Sequence, residues 1–390
     1  MYREVVLNCY LHLFKIFFDI FKLFPLQKKL TFVVSYTENC NYLIKEIRKQ
    51  SLEYKVILLC KPLTYEFFSN EYPELKVRRF ETFNLVHWFN SIYHLSTSKH
   101  IIIDNYYGFL SSINFRKSVE CIQIWHAVGS FKQFGLKDRS NYKRSKSAIK
   151  RFKRVYSKFH KIVVGSEKMA NIFKESFGIQ EQNILRTGIP RTDFFYDNCL
   201  MNHVRNEIYL KYPNLKEKKV ITYAPTFRKQ QLKEHQLELE IEKLYNELSL
   251  SNFILIIKLH PMIRKNITIE EKYKNFIYDF SDYNSTNELL LITDYLITDY
   301  SSLPCEFSIL NKPIIFFVYD LEEYKITQGL IEGYMDNIPF PVVYKTEQII
   351  KIIKQNEFKE NKTKQFSLSW NEYSIGNSSE NLIKYIKKNN

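Results

Sequence analysis

Two consecutive serines, Ser301 and Ser302, follow a short apolar run and precede a helix-length segment with a proline in its first turn. The order of residue types over 294–318 predicts a strand, a hydroxyl-bearing turn, a helix and a second strand. At the start of a helix, a serine oxygen, the free backbone N–H groups and the helix dipole act at one point. The turn therefore predicts a phosphate site, although an ordinary capped crossover helix has the same pattern.

His126 is the second candidate for chemistry. It follows the apolar run 121–125 and enters a turn that contains Gly129. Side chains just beyond strand ends are where open parallel sheets place their ligands. Because histidine titrates near neutral pH, His126 is a candidate general base for a hydroxyl. A histidine that is bonded to backbone for structural reasons is the alternative.

Three further strand ends carry groups that can hold phosphate. Lys258 and His260 flank Leu259, so on an extended chain both side chains point the same way. Thr226 and Arg228 follow a strand that Pro225 interrupts. In the segment 188–193, the guanidinium of Arg191 can fork onto a phosphate. Each segment alone is weak evidence, and their order along the chain is more specific.

The elements that must position these groups come in two series of apolar, β-branched runs, with helix-length segments between most of them. The predicted strands are 30–36, 55–60, 100–104, 121–125 and 161–165, then 219–224, 253–259, 295–299 and 313–318. This alternation predicts an α/β protein with two Rossmann-like domains, whose parallel sheets face a central cleft.

The expected organisation is an N-terminal amphipathic helix (1–28), an acceptor and base domain (29–205) and a donor domain (206–390). The boundary is placed in the polar stretch 198–218, and the last helix can cross back to the first domain.

The nine glycines form neither a GxGxxG motif nor a P-loop, so phosphate must be held in another way.

Composition narrows the class of partner and compartment. The chain of 390 residues has a net charge of +15, which indicates an anionic partner. Its six cysteines include no CxxC pair, which predicts a reducing compartment and no zinc site.

The excess charge is concentrated over 132–161, where twelve Lys or Arg residues accompany one acid, Asp138. Aromatic residues alternate with the basic ones, which predicts a basic helix with a partly aromatic face. A solvated helix is the plain alternative, but so long a basic run favours binding of anionic lipid, a phosphate polymer or RNA. The candidates for acceptor or membrane binding are Lys143, Arg144, Lys150, Arg151, Lys153 and Arg154.

Residues 5–24 are apolar enough to suggest a signal peptide or a membrane span. However, polar residues recur every three or four positions and would form one stripe on a helix. They are Glu4, Asn8, His12, Lys15, Asp19 and Lys22. The pattern therefore favours a helix that lies in the plane of a membrane surface. A helix docked on the protein's own core is the alternative.

The ordered motifs resemble the CDP-glycerol glycerophosphotransferase family, the teichoic acid primases and polymerases of bacterial cell walls. The matching segments are 125–126 with 131–135, 165–166, 188–191, 223–228, 258–261, 298–302 and 319–324. The resemblance implies a GT-B-like fold, a CDP-glycerol or CDP-ribitol donor, a lipid-linked acceptor polymer and release of CMP. It also implies a peripheral enzyme on the cytoplasmic face of the membrane, in contact with its anionic surface.

When the family's residue roles are transferred to the matching positions, the resemblance implies that His126 is the general base. It also implies that His260 is a second catalytic residue, which holds charge on the pyrophosphate. The residues that it assigns to the donor are Arg191, Pro225, Thr226, Arg228, Lys258, Leu259, Ser301 and Ser302. No carboxylate cluster lies near the motifs, so no metal and no cofactor are expected.

Two segments depart from the family pattern. Many members have Gly-Thr-Pro where this chain has 127–130, a variant that also resembles the ribitol-phosphate branch. Residues 328–333 lack the Arg and Asp of the usual Arg-Gly-Phe-Tyr-Phe-Asp motif. Donor contacts from that loop, the identity of the polyol and the oligomeric state are left open.

Two other functions compete. A GT-B glycosyltransferase would share the fold, but such enzymes usually carry a glutamate in the donor motif, where this chain has Ser301 and Ser302. An RNA-binding module would use the basic run but leaves the His, Arg and Ser turns unexplained, so no nucleic-acid partner is expected.

Overall fold

The computed structural model describes residues 2–82, 84–228, 237–259, 269–356 and 358–389. The chain divides into two compact units. The first unit consists of Met1–Ala127, Phe134–Asp193 and Glu372–Asn390, and the second of Val128–Gln133 and Phe194–Asn371. The expected boundary at 205/206 therefore lies inside the second unit. The polar stretch on which it was based begins with a largely exposed helix, Asn198–Lys211.

The first unit contains a seven-stranded parallel sheet in the order β3-β2-β1-β4-β5-β6-β7. Its strands are β1 (Gln27–Val34), β2 (Lys55–Cys60), β3 (Lys76–Arg79), β4 (Ser98–Ile103), β5 (Glu120–Gln123), β6 (Lys161–Val163) and β7 (Ile184–Leu185). The central strands are nearly continuous apolar runs because helices cover both faces of such sheets. The strand order reverses between β1 and β4, which pair directly. Ligands of doubly wound folds bind beyond the carboxyl ends of the strands at this reversal.

Seven helices accompany this sheet in the described residues. They are α1 (Tyr2–Phe21), α2 (Glu38–Lys49), α3 (Pro62–Glu71), α4 (Leu85–Thr97), α5 (Lys146–Tyr156), α6 (Glu167–Phe177) and, from the end of the chain, α14 (Ser378–Lys388).

The second unit contains a six-stranded parallel sheet in the order β10-β9-β8-β11-β12-β13. Its strands are β8 (Lys219–Tyr223), β9 (Phe253–Ile257), β10 (Ile277–Asp279), β11 (Tyr295–Thr298), β12 (Ile314–Phe317) and β13 (Val342–Val343). Here the order reverses between β8 and β11. Buried residues from four neighbouring strands, such as Ile221, Leu255, Ile297 and Ile315, form one core.

The helices described in the second unit are shorter on average. They are α7 (Asn198–Lys211), α8 (Ile241–Leu248), α9 (Thr286–Ile292), α10 (Leu303–Phe307), α11 (Leu321–Thr327), α12 (Thr346–Gln355) and α13 (Glu360–Trp370). The α/β class with two parallel sheets is thus as predicted from the sequence.

Helix α1 has three faces. Leu11, Phe14 and Phe18 are buried, and Phe14 packs edge-on against Trp88 of α4 at 6.0 Å. The polar stripe forms the second face. A third face presents large apolar side chains to solvent, namely Val5, Val6, Leu13, Ile16 and Ile20. The helix is therefore docked on its own unit and still exposes an apolar surface. None of the helices in the described part of the chain is long and apolar enough to cross a membrane.

The basic run does not form one long helix. Gly135–Lys137 and Arg139–Lys143 are 3-10 turns, and only α5 is α-helical. The Asn141 amide donates hydrogen bonds to the carbonyl oxygens of Gly135 (2.8 Å) and Leu136 (3.1 Å). Such local side-chain bonds compete with the helix. The hydroxyl of Ser145 then caps α5 by accepting the Ala148 N–H over 3.2 Å.

Candidate functional site

His126 lies beyond the end of β5 in the first unit, in an unusual local conformation. The preceding residue, Trp125, has φ of +52°, which is sterically costly for a bulky residue. Strain of this kind concentrates at functional sites. The half-buried imidazole is stacked between two rings, those of Tyr36 at 4.5 Å and Trp125 at 4.4 Å. The electron-rich ring faces favour a cation between them, so they stabilise the imidazolium that proton uptake creates.

One imidazole nitrogen is fixed by the backbone. His126 Nδ1 lies 3.2 Å from the carbonyl oxygen of Asp104, which follows β4. A carbonyl oxygen can only accept, so Nδ1 carries the proton in the neutral ring. Nε2 is then the basic nitrogen. This is the tautomer that a general base for a hydroxyl requires.

The Asp104 carboxylate, in turn, positions the ring that covers His126. Its Oδ2 accepts the backbone N–H groups of Ser35 and Tyr36, each at 2.8 Å, and Oδ1 accepts the Tyr107 hydroxyl at 2.7 Å. Burial raises the pKa of Asp104 to about 6, although these hydrogen bonds oppose the shift. Asp104 and Tyr36 therefore place the site at the β1/β4 reversal.

Arg191 contacts the His126 segment directly. Its Nη1 donates to the His126 carbonyl oxygen at 2.8 Å and forms an ion pair with Glu38 at 2.8 Å. Asn39 joins the same two segments, because its side chain donates to the Trp125 carbonyl at 2.9 Å and accepts the Arg191 N–H at 3.0 Å. Within the first unit, Arg191 thus positions His126.

The second unit contains a buried charged cluster at the β8/β11 reversal. The Asp299 carboxylate, 1% exposed, accepts the backbone N–H groups of Thr226 at 2.9 Å and Tyr300 at 2.6 Å. It also pairs with Arg228, which forms two further bonds to Asp320 at 2.8 and 3.0 Å. This carboxylate holds the turn after β8 against the turn after β11.

Tyrosines surround that cluster. The Arg228 guanidinium lies 5.1–5.2 Å from the ring centres of Tyr300, Tyr319 and Tyr324. Burial alone would lower the pKa of Arg228, but Asp299 and Asp320 outweigh it and raise the pKa. Arg228 was assigned to donor phosphates from the sequence, whereas its guanidinium is engaged by two carboxylates of its own unit.

Lys132 was counted in the basic run 132–161 from the sequence, but it belongs to the second unit. The Lys132 backbone pairs with Leu330, and Gln133 N–H donates to the Gly329 carbonyl at 3.1 Å. Burial lowers the pKa of Lys132, and Asp299 opposes the shift. The chain thus passes, directly after Ala127, into the unit that contains the predicted donor residues other than Arg191.

The other predicted donor residues lie at neighbouring strand ends of the second unit. Pro225 is buried and Thr226 half-buried after β8. The Lys258 ammonium donates to the carbonyl oxygens of Ser281 and Tyr283, and the buried Leu259 N–H donates to the Ser281 hydroxyl at 3.0 Å. His260 lies outside the described residues.

The Ser301–Ser302 turn differs from the predicted cap. Ser302 is the N-cap of α10, but its backbone is helical and its side chain makes no capping bond. Instead, the Ser301 hydroxyl accepts the Leu303 N–H at 3.2 Å. Helix α10 has only five residues, so its dipole contributes less than the sequence pattern suggested.

The six basic candidates for acceptor or membrane binding separate into two groups. Lys150, Arg151 and Arg154 line a groove with the polar face of α1. Lys143, Arg144 and Lys153 are exposed and lie outside that groove.

Six residues that organise these sites have no role predicted from the sequence. They are Tyr36, Glu38, Asn39, Asp104, Asp299 and Asp320. Two of them left a usable signal, because Asp104 and Asp299 are the last residues of predicted strands. The ion pair of Glu38 with Arg191 spans 153 positions of sequence, so local pattern could not reveal it.

Comparison with known proteins identifies the family and the fold. Residues 16–388 match the family described as CDP-Glycerol:Poly(glycerophosphate) glycerophosphotransferase. The teichoic acid glycerol-phosphate primase of Bacillus subtilis (strain 168) is 40% identical over 386 residues, 99% of this chain and 98% of that protein. The teichoic acid poly(ribitol-phosphate) polymerase of Bacillus spizizenii is 36% identical over 89% of this chain and 54% of that protein.

Solved structures share the fold. The wall teichoic acid polymerase TagF has a TM-score of 0.77 at 24% identity, covering 98% of this chain and 95% of that one. A UDP-GlcNAc 2-epimerase from Neisseria meningitidis has a TM-score of 0.63 at 15% identity, covering 93% of this chain and 100% of that one. The fold is thus of the GT-B type that the motifs implied. From the extent of these matches, the chain is a member of the CDP-glycerol:poly(glycerophosphate) glycerophosphotransferase family.

Proposed function

We propose that this enzyme transfers glycerol phosphate from CDP-glycerol to a hydroxyl group of a lipid-linked acceptor in teichoic acid synthesis. The acceptor oxygen forms a bond to the phosphorus that bears the polyol. The bond from that phosphorus to the bridging oxygen breaks, and CMP leaves with the electron pair. The hydroxyl proton goes to His126.

One observation carries the assignment of the base. His126 Nδ1 faces the Asp104 carbonyl oxygen, and the ring is stacked between Tyr36 and Trp125. This arrangement supports a neutral ring with a basic Nε2 that is stabilised after it takes up a proton. In a phosphoryl transfer of this kind, positioning and charge stabilisation supply most of the rate.

The donor residues belong to the second unit in this proposal. Thr226, Lys258, Ser301 and Ser302 would contact the nucleotide and its phosphates, and Arg228 would act indirectly by fixing the Thr226 turn to Asp299. His260 would stabilise the charge that develops on the leaving group.

Glycerol phosphate is the preferred polyol for two reasons. The primase with 40% identity matches over nearly its whole length, and a second glycerol-phosphate primase, from Bacillus spizizenii, is 37% identical over 93% of both chains. Ribitol phosphate is the second candidate because the 127–130 segment resembles that branch, and 36% identity links the chain to a ribitol-phosphate polymerase.

A side-by-side assay tests the reaction class and the donor. A defined lipid-linked acceptor is incubated with CDP-glycerol, CDP-ribitol or a nucleotide sugar, and the products are analysed by mass spectrometry. We expect a mass increase of one or more glycerol phosphate units and release of CMP. Exclusive transfer of ribitol phosphate would overturn the donor assignment, and transfer of a sugar would overturn the reaction class.

We also propose that the enzyme works as a peripheral protein at the cytoplasmic face of the membrane. The apolar face of α1 supports this, since Ile16 and Ile20 are 40% and 46% exposed. Replacing both by Gln keeps helix propensity and should weaken binding to anionic vesicles. The matched control replaces Leu63 and Leu250, exposed apolar residues elsewhere, and should bind like the wild type. Equal binding by both variants would contradict a membrane role for α1.

A further inference from the structure

A groove of about 560 Å³ lies within the first unit, between the polar face of α1, residues 111–114 and α5. Five cationic side chains line it, and no carboxylate does among the residues that the structure describes. The cations are Lys15, Lys150, Arg151, Arg154 and Lys158. This concentration of one charge sign on facing walls attracts an anion more strongly than the same charges spread over a surface.

The positive charge of the groove is only partly compensated. Lys15 pairs with Asp19 at 2.7 Å, and Arg151 pairs with Glu4 at 3.1 Å. Among the described residues, Lys150 and Arg154 form no ion pair. The pKa of Lys158 is lowered by its burial and by the nearby charge of Arg154. An anion in the groove would relieve this repulsion.

Neutral polar residues accompany the cations. Ser112 and Ser147 line the groove. The Ser112 hydroxyl donates to the Phe109 carbonyl oxygen at 2.8 Å, and Asn114 Oδ1 accepts from the Lys158 ammonium at 2.6 Å. The donors that match the several acceptor oxygens of a phosphate group are therefore mainly the Lys and Arg side chains.

The position of the groove indicates where that phosphate comes from. His12 lines the groove, and Ile16, one helical turn further on, belongs to the exposed apolar face of α1. A helix that lies in a membrane surface inserts its apolar face by roughly 5–10 Å, near the boundary of headgroups and acyl chains. The adjoining polar face is then at the level of lipid phosphates.

We propose that this groove binds the phosphate group of a membrane lipid, with Lys150 and Arg154 as its main ligands. The proposal extends the membrane role of the proposed function to a specific site. The groove and Asp104, whose carbonyl oxygen holds His126, belong to the same compact unit. A lipid bound here would therefore be held by the same unit as the proposed base.

Vesicle binding tests the groove without any donor or acceptor reaction. Phosphatidylcholine vesicles with one quarter phosphatidylglycerol are titrated with the full-length protein and with two variants. Lys150→Gln with Arg154→Gln removes one Lys and one Arg from the groove. Arg144→Gln with Lys153→Gln removes the same two residue types from exposed positions of the same basic segment, outside the groove.

We expect the groove variant to need at least about tenfold more lipid for half-maximal binding, and the control about threefold or less. Equal losses would show an unspecific charge effect and overturn the proposal. Thermal unfolding of both variants shows whether either is misfolded. If the groove variant is misfolded, Lys150→Met alone serves as the groove variant, with Lys153→Met as its control.

Competition distinguishes the sources of the phosphate. Inorganic pyrophosphate should compete only weakly with vesicles, since it lacks the acyl chains that accompany the α1 contact. Strong competition by pyrophosphate, or protection of the groove by single-stranded RNA in place of vesicles, would overturn the lipid assignment. Because no donor is present, these outcomes are independent of whether the enzyme transfers glycerol phosphate.

Discussion

Nη1 of Arg191 lies 2.8 Å from the backbone carbonyl oxygen of His126, and the same nitrogen pairs with Glu38. The sequence had suggested that this guanidinium binds donor phosphate. Its contacts within the first unit fix the segment that carries the proposed base. A residue with this role changes turnover more than substrate affinity, because it acts on the geometry of the reacting group.

Arg191→Lys separates the two roles. Lysine keeps the positive charge, but its ammonium lies one bond nearer the backbone than Nη1, so it cannot reach Glu38 and the His126 carbonyl in the same geometry. We expect kcat to fall by about 10²-fold, with the KM for CDP-glycerol nearly unchanged. Steady-state kinetics measure both constants. A large rise in donor KM with normal kcat would show that Arg191 is a donor ligand.

His126→Ala should lower turnover by ~10²-fold or more, because it removes the proton acceptor. The assay is CMP release with saturating CDP-glycerol and acceptor. The control is His203→Ala, which changes an exposed histidine of α7 and should retain full turnover. If a folded His126→Ala protein has near-normal turnover, another group is the base.

The sheet cores were predictable from the sequence, and the sheet edges were not. All nine predicted strands are present, because central strands of parallel sheets are continuous apolar runs. In the described part of the chain, four strands were not predicted, namely β3, β7, β10 and β13, and each is an edge strand of two to four residues. Short, half-solvated segments of this kind lack a long apolar run or a regular alternation.

The candidate sites were predictable as positions but not as contacts. The strand-end location of His126 and Thr226 followed from local pattern. The partners of Arg228 did not, because Asp299 and Asp320 lie 71 and 92 positions away. Likewise, the two alternatives for α1 excluded each other in the sequence analysis, whereas the helix has one buried and one exposed apolar face.

Asp104 should make the free energy of unfolding decrease as pH rises. Its folded-state pKa is about 6, above the ordinary value of roughly 4, so the folded protein binds this proton more tightly than the unfolded chain. Its contribution to the free energy of unfolding is therefore greatest below about pH 4 and is lost as pH rises through about 6. The expected loss is up to about 3 kcal/mol.

Asp104→Asn isolates this contribution. The amide oxygen can still accept the Ser35 and Tyr36 N–H groups, but the residue no longer titrates. Urea unfolding of both proteins from about pH 4 to about pH 7 should show the wild type losing stability relative to the variant. Asp336→Asn, at an exposed position, is the control and should parallel the wild type. A parallel course for Asp104→Asn would refute the raised pKa.

Arg228→Met should destabilise the second unit strongly. It leaves the buried Asp299 carboxylate and the partly buried Asp320 carboxylate without the guanidinium that pairs with both, and breaking a buried ion pair typically costs 3–5 kcal/mol. The matched control is Arg186→Met, which removes an exposed arginine that pairs with Glu167 and Glu181 and should cost about 1 kcal/mol or less. Chemical denaturation measures both. Similar small losses would mean that water or rearrangement satisfies the two carboxylates.

Ser301 and Ser302 should give different results when each is changed to alanine. Ser301 accepts the Leu303 N–H, so its loss should lower the free energy of unfolding by about 1 kcal/mol. Ser302 makes no capping bond, so its replacement should leave stability nearly unchanged. If Ser302 donates its hydroxyl to a donor phosphate, the KM for CDP-glycerol should rise by about tenfold, the usual effect of losing a hydrogen bond to a charged group.

Donor titrations and urea unfolding of the two variants provide both readouts. Ser251→Ala changes an exposed serine of a 3-10 turn and should alter neither quantity. An unchanged KM in Ser302→Ala would limit this turn to a structural role. The phosphate groups of the donor would then depend on Thr226 and Lys258, at the ends of β8 and β9.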